Sequence, residues 1–105
     1  MIGRITTTAA RTADTSVYRV DTSKQAAVHA VYLCNTTSSV RRVRLHHCRN
    51  GETSSTLNAM LYDAPIAPNG TLVEDTRFVL AQGDELRAMA DASGVTIMVH
   101  GLVNG

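Results

Sequence analysis

The chain is predicted to be all-β, folding as a single antiparallel sandwich of about eight short strands. Three observations carry that expectation. Apolar and polar residues alternate with a period of two, most cleanly where Leu86, Ala88 and Ala90 interleave with Glu85, Arg87 and Met89, and again at Val95, Ile97 and Val99. Turn signals recur at intervals of roughly 8–12 residues. Aromatic side chains are scarce, with Tyr18, Tyr32, Tyr62 and Phe78 and no Trp, so the core must be built from Val, Leu, Ile and Ala. A core of that kind suits two thin sheets. At 105 residues and 44% hydrophobic content, residues 1–105 form one domain with a single modest core.

Residues 2–8 and 15–21 read as Thr-, Ile- and Val-rich strands, the second with Val17 and Arg19 on one face and Tyr18 and Val20 on the other. Asp21-Thr22-Ser23-Lys24 is a polar turn. Residues 26–35 and 40–48 read as a hairpin around Asn35-Thr36-Thr37-Ser38-Ser39, with Val31 opposite Val43 or Leu45. A polar loop follows at 49–56 with an Asn50-Gly51 turn signal.

Leu57 to Tyr62 fits helix or strand; Pro65 and Pro68 leave no room for a useful helix and favour strand. Pro68-Asn69-Gly70 is a turn in which Gly70 is expected to take the positive dihedral. Thr71–Glu74 and Phe78–Leu80 are short strands. Gly83-Asp84 then reverses the chain, with Asp84 expected to bond the amides that follow it, and Ser93-Gly94 joins the last two strands as a tight turn.

The formal net charge is +1 and the charges are scattered. Arg41-Arg42 with Arg44 and Arg49 is a local cluster and not a run that could follow a nucleic-acid backbone. Nine of the ten basic residues are Arg, which suits bidentate pairing with carboxylates at protein interfaces, although a GC-rich genome would give the same bias. No stretch approaches the roughly 20 apolar residues of a membrane span, and the N-terminus lacks a signal-peptide core. A soluble product made in the cytosol is expected, with neither nucleic acid nor membrane as partner.

The residues that could carry chemistry do not assemble into a motif. In the hairpin register, Cys34 and Cys48 stand too far apart for a disulfide and read as two free thiols. His46 and His47 are adjacent on a strand and point to opposite faces, while His29 is expected beside Leu45 or His47. The cupin pattern needs two histidines one residue apart, a nearby acidic residue and a later histidine. Here the spacer is missing, Glu52 follows a turn, and no histidine closely follows Pro68-Asn69-Gly70. Glu74-Asp75 and Asp84-Glu85 splay apart, and no nucleophile has a base at defined spacing. No catalytic, cofactor-binding or metal-binding residue is therefore assigned, and no cofactor is expected. Few aromatics argue against a sugar-stacking platform, which leaves a glycan-binding sandwich as the reading of another class.

Three groups of residues carry a resemblance: Asn58-Ala59-x-Leu61-Tyr62-Asp63; Ile66-x-x-Asn69-Gly70-Thr71; and Leu80-x-x-Gly83-Asp84-x-Leu86-x-Ala88-x-Ala90, with His100-Gly101 ending the following strand. In that order, and with Leu33-x-Asn35 before Val43-x-Leu45, residues 26–101 resemble small tailed-bacteriophage virion proteins of the capsid decoration (cement) type. These are jelly-roll or immunoglobulin-like sandwiches. The resemblance implies a non-enzymatic structural protein of the virion, assembled in the host cytoplasm, that binds the major capsid protein and its own copies as a homotrimer. A tail, neck or fibre-base module is the alternative within that class. Arg4, Ile5, Arg41, Arg42 and Arg44 are the expected interface residues, with residues 1–8 as an arm able to add as a strand to a neighbour.

Overall fold

The structure is a computed structural model that describes residues 3–104. Nine strands succeed one another: β1 (Gly3–Ala9), β2 (Thr15–Arg19), β3 (Gln25–Asn35), β4 (Arg41–Cys48), β5 (Ala59–Ile66), β6 (Thr71–Glu74), β7 (Phe78–Leu80), β8 (Glu85–Ala90) and β9 (Val95–Asn104). They form two antiparallel sheets and, among the described residues, no helix. One sheet runs β1-β9-β3-β6 with β7 also on β3, and the other runs β2-β8-β4-β5. β6 and β7 occupy one position, because β6 pairs with Val31–Cys34 and β7 with Ala26–Val28 of the same strand. Eight strand positions in this order make a jelly roll, which decides between the two connectivities the sequence left open.

The roll is one long antiparallel ribbon folded on itself. β4 pairs β5 at its tip, then β3 pairs β6 and β7, β2 pairs β8, and β1 pairs β9. The expected hairpin of residues 26–35 with 40–48 is therefore corrected, since β3 and β4 belong to opposite sheets. Val31 lies opposite Val99 and Glu74, Val43 lies opposite Ala90 and Ala64, and the two valines share the core. β8 and β9 likewise lie in different sheets. Alternation says which side chains point inward, and it is the same whether the next strand lies alongside or across the core.

That core is aliphatic, with Leu33, Leu45, Leu80, Leu86, Ile97 and six fully buried valines at its centre. The segment anticipated as an extending arm is, from Gly3 onward, an edge strand paired to the chain's own β9; Met1 and Ile2 lie outside the described residues. In β2 a bulge between Ser16 and Tyr18 breaks the expected alternation, and both Val17 and Tyr18 pack against the core. At the 68–70 turn the positive dihedral falls on Asn69, at 57°, and not on Gly70.

The connectors between sheets are tied at each end by one polar side chain. At one end the fully buried Asn35 donates through Nδ2 to the carbonyls of Ser39 (2.7 Å), Ile66 (3.1 Å) and Ala67 (3.2 Å). Its Oδ1 accepts from the amide (3.0 Å) and hydroxyl (2.7 Å) of Thr37. One amide thus joins the β3–β4 and β5–β6 connectors, and the neighbouring Thr36 adds β8–β9 by donating its amide and hydroxyl to the Gly94 carbonyl, each at 2.8 Å.

At the other end Asp84 accepts from the Asn50 amide (3.0 Å) and the Ala81 amide (3.0 Å), so it bonds an amide before it and one from another loop, not those that follow. Replacing Asn35 by Ala would leave the Ser39 and Ala67 carbonyls with the Thr37 hydroxyl and the Gly70 amide as donors, but would take this partner from the buried Ile66 carbonyl and from the Thr37 amide. Each orphaned buried group costs about 1–3 kcal/mol, so Asn35→Ala is expected to destabilise the fold by about 3 kcal/mol or more, read from the midpoint and slope of urea unfolding.

Candidate functional site

The two sheets turn unlike faces to solvent. On the outer face of the β2-β8-β4-β5 sheet stand Arg42, Arg44, His46 and Cys48 of β4, with Met89, Arg87 and Glu85 beside them on β8. The loop over residues 49–58 folds down onto this face and builds a polar network. Arg87 Nε donates to Asp14 Oδ2 (2.7 Å) and its Nη1 to Glu85 Oε1 (3.2 Å), while Ser54 Oγ donates to Asp14 Oδ1 (2.9 Å). Asn58 lies between the strand and the loop. Its Oδ1 accepts from the Ser55 amide and meets His46 Nδ1, each at 3.0 Å, and its Nδ2 donates to the Thr53 carbonyl (2.9 Å) and toward Cys48 Sγ (3.6 Å). An accepting Oδ1 assigns the proton to His46 Nδ1 and leaves Nε2 as its free ring nitrogen. Above these groups is a shallow groove of about 400 Å³ lined by Asp14, Arg44, His46, Ser54, Thr56 and Tyr62 among others.

The ion pairs and hydrogen bonds of this network fix the loop on the sheet. Burial pushes the Cys48 thiol above its ordinary pKa, more than the Ser54 hydrogen bond lowers it, so the nucleophilic thiolate is disfavoured. Asp14, which accepts from the Ser54 hydroxyl, is at the same time paired with the Arg87 guanidinium at 2.7 Å. Arg87 is in turn raised by its hydrogen bond to Asp14.

Along the same face Arg44 forms a two-pronged ion pair with Asp63, Nε to Oδ1 at 2.7 Å and Nη2 to Oδ2 at 3.2 Å, and stacks 4.1 Å from the centre of the Tyr62 ring. The sheet makes room for this by a bulge. Tyr62 and Asp63 of β5 stand against the single Arg44 between the Val43–Ala64 and Leu45–Leu61 pairs, one residue more than β4 has, and Asp63 sits at a φ of 54°.

The outer face of the other sheet is nearly bare of charge. β3 presents Ala27, His29, Tyr32 and Cys34, and β9 presents Thr96, Met98, His100 and Leu102, opposite the inward Val31, Leu33, Ile97 and Val99. β6 and β7 add Thr71, Val73 and Val79, the two valines 46% and 58% exposed. Tyr32 and His100 meet edge-on, ring centres 4.9 Å apart. Ionic side chains stand only at the margins, Arg4 on the β1 edge and the exposed Asp75 and Arg77 at the opposite edge, while Glu74 shares the inward side with Val31. An uncharged centre carrying Tyr, Met and valines, ringed by charge, has the composition of a protein–protein contact.

The structure separates the five residues expected at an interface. Arg4 is exposed on the margin of the uncharged face, whereas Ile5 packs inward against the core. Arg41, Arg42 and Arg44 lie in the other sheet, and each has an intrachain partner: Arg41 Nε donates to the Ser93 carbonyl (2.8 Å), Arg42 Nη1 to the Asp63 carbonyl (3.3 Å), and Arg44 to the Asp63 carboxylate.

The histidines are dispersed. His46 is buried under the loop, His47 lies against Phe78 with ring centres 5.3 Å apart, and His29 and His100 share the uncharged face. The expected placing of His29 beside Leu45 or His47 is corrected by its strand's place in the other sheet. Among the described residues no three His, Cys, Asp or Glu gather as metal ligands. Cys34 and Cys48 are free and lie in opposite sheets, a separation the hairpin register did not anticipate.

The residues of the uncharged face carried a signal in the sequence. The two longest stretches without Asp, Glu, Lys or Arg are residues 25–40 and 92–105, and they contain β3 and β9, the central strands of that sheet. Comparison with protein-family models, with curated proteins and with solved structures gave no match.

The Arg44 guanidinium holds the Asp63 carboxyl below the usual carboxylate range, mainly through its hydrogen bonds. A depressed folded-state pKa contributes stability that is complete above the ordinary carboxylate value and is lost as pH falls through the depressed one. The chain is therefore expected to lose more thermal stability between pH 7 and about 2 than its Asp63→Asn variant does. The difference is small because the pair is solvent-exposed, and it shrinks with added salt. Circular-dichroism melts across that range measure it, and superimposable profiles would refute it.

Proposed function

We propose that the chain is a structural assembly protein of a tailed-phage virion, acting by binding the outer surface of the capsid and its own copies. The observation that carries this reading is the uncharged face of the β1-β9-β3-β6 sheet, where Tyr32, Met98, Val73 and Val79 lie among small and hydroxyl-bearing residues. Burying such a surface against protein releases water without stranding ions, which is the work of a cement protein. The likeness of residues 26–101 to small virion proteins supports the same reading. A jelly roll alone does not, because that fold serves lectins and cupins as readily as capsids.

The mechanism is passive. Apolar area supplies the affinity, and marginal charges such as Arg4 set orientation. Imaging virions assembled with a tagged copy of the chain tests the proposal. Label distributed over the outer capsid shell is expected. Label confined to the tail, neck or fibre base would overturn the capsid assignment, and its absence from particles would overturn the virion assignment.

A further inference from the structure

We propose that two copies of this chain pair through the uncharged outer face of the β1-β9-β3-β6 sheet, stacked about a twofold axis that runs along the strands. The inference deepens the assembly reading above and rests on it for its biological setting. Its physical argument comes from charge, register and area.

Charge narrows the occupant. A partner surface rich in ions would have them desolvated and unpaired against this face, at a cost of several kcal/mol per ion. An equally uncharged surface meets no such cost, and this chain supplies one in every copy. The opposite sheet, with Arg42, Arg44, Arg87, Glu85 and Asp63, does not.

Register then selects an orientation. Arg4 of β1 stands level with His100 of β9, which is level with Ala30 of β3. At the far edge of the same sheet Glu74 is level with Val31 and shares its inward side, and the exposed Asp75 follows it toward the level of Ala30. A twofold axis along the strands exchanges the two edges of the sheet and preserves level. It therefore sets Arg4 of each copy over the Asp75 edge of the other and forms the contact twice by symmetry. The alternative axis, across the strands, would put like edges together. Two aligned sheet faces are an ordinary packing, with side chains meshing between layers about 10 Å apart.

The area is of the right size. Four strands about 4.8 Å apart and about ten residues long span roughly 19 Å by 33 Å, or about 600 Å² before side-chain relief is counted. Stable complexes bury about 800 Å² per partner.

Sedimentation of the full chain across a concentration series reads the outcome. A dimer is expected; a monomer at about 100 μM, or the trimer that the resemblance implies, would overturn the twofold pairing. Tyr32→Glu puts like charges at the centre of the face and is expected to give a folded monomer. Arg4→Glu, at an exposed margin where folding is undisturbed, is expected to raise the dimer dissociation constant about tenfold. Adding Asp75→Arg to Arg4→Glu restores opposite charges at both edges and is expected to return most of that affinity. A pair that ignores Arg4→Glu, or is not rescued by the double swap, refutes this orientation. Particle binding by a strictly monomeric chain would sink the pairing and leave the virion reading standing. A dimer that never appears on particles would do the reverse.

Discussion

The fold depends on the amide of Asn35. A jelly roll contains one local hairpin, here β4–β5, and every other strand pair joins segments distant in sequence. Such a ribbon has little local information telling it where to fold over, and closing its long loops costs entropy before any core forms. Asn35 resolves this at one end of the sandwich by accepting from the connector that follows it and donating to the connector that returns from β5. The group is fully buried and its donor and acceptor sides are both used. Interior position and complete pairing together make it specific, since no other short side chain offers both kinds of group in one plane. Asp84 does a simpler version of this at the far end, where the connectors are more exposed and an acceptor alone suffices.

Inside, the two sheets are alike; outside, they are not. The β2-β8-β4-β5 sheet folds its own 49–58 loop down over His46 and Cys48 and pairs its ions with one another, Arg44 with Asp63 and Arg87 with Asp14 and Glu85. Among the described residues no buried side-chain nitrogen or oxygen is left without a partner. Among the described residues no loop folds over the other sheet, and its Val73 and Val79 are exposed with Tyr32 and Met98 half-buried. A small sandwich has little hydrophobic burial in reserve, so leaving that much apolar surface uncovered is costly unless another protein surface covers it.

Strand existence, approximate boundaries and the inward residues were legible in the sequence, because a half-buried strand writes its burial into every second position. Leu86, Ala88 and Ala90 are buried as the alternation required, as are Val95, Ile97 and Val99. Partnership was not legible. The short polar link between Asn35 and Arg41 looks the same whether it turns back in one sheet or crosses to the other, and only the buried contacts of Asn35 with Ile66 and Ala67 decide it. For the same reason the arginines singled out by composition proved to be mostly engaged within the chain. The informative feature was what β3 and β9 lacked, and a missing charge signifies a surface only once the two stretches are known to be neighbours.

Two bulges hold the outer face of the β1-β9-β3-β6 sheet in phase, and they tie the proposed pairing to the backbone. β3 points its even-numbered residues inward as far as Val28, and without the extra residue at His29 the same parity would drive Tyr32 and Cys34 into the core and expel Val31 and Leu33. The strand opposite must yield there: a Cβ on Gly101 of β9 would land on the Ala27 carbonyl oxygen, so only glycine fits against the bulge. In β1 the bulge at Ile5 does the equivalent work, since Thr6 and Thr8 pair with the inward Val99 and Ile97, and unbroken alternation would carry Arg4 inward too. With the bulge, Ile5 packs on the core and Arg4 comes level with His100 on the outer face. The one marginal cation that gives the pairing its orientation therefore owes its place to a backbone irregularity, and the neutrality of the surface it borders owes as much to another.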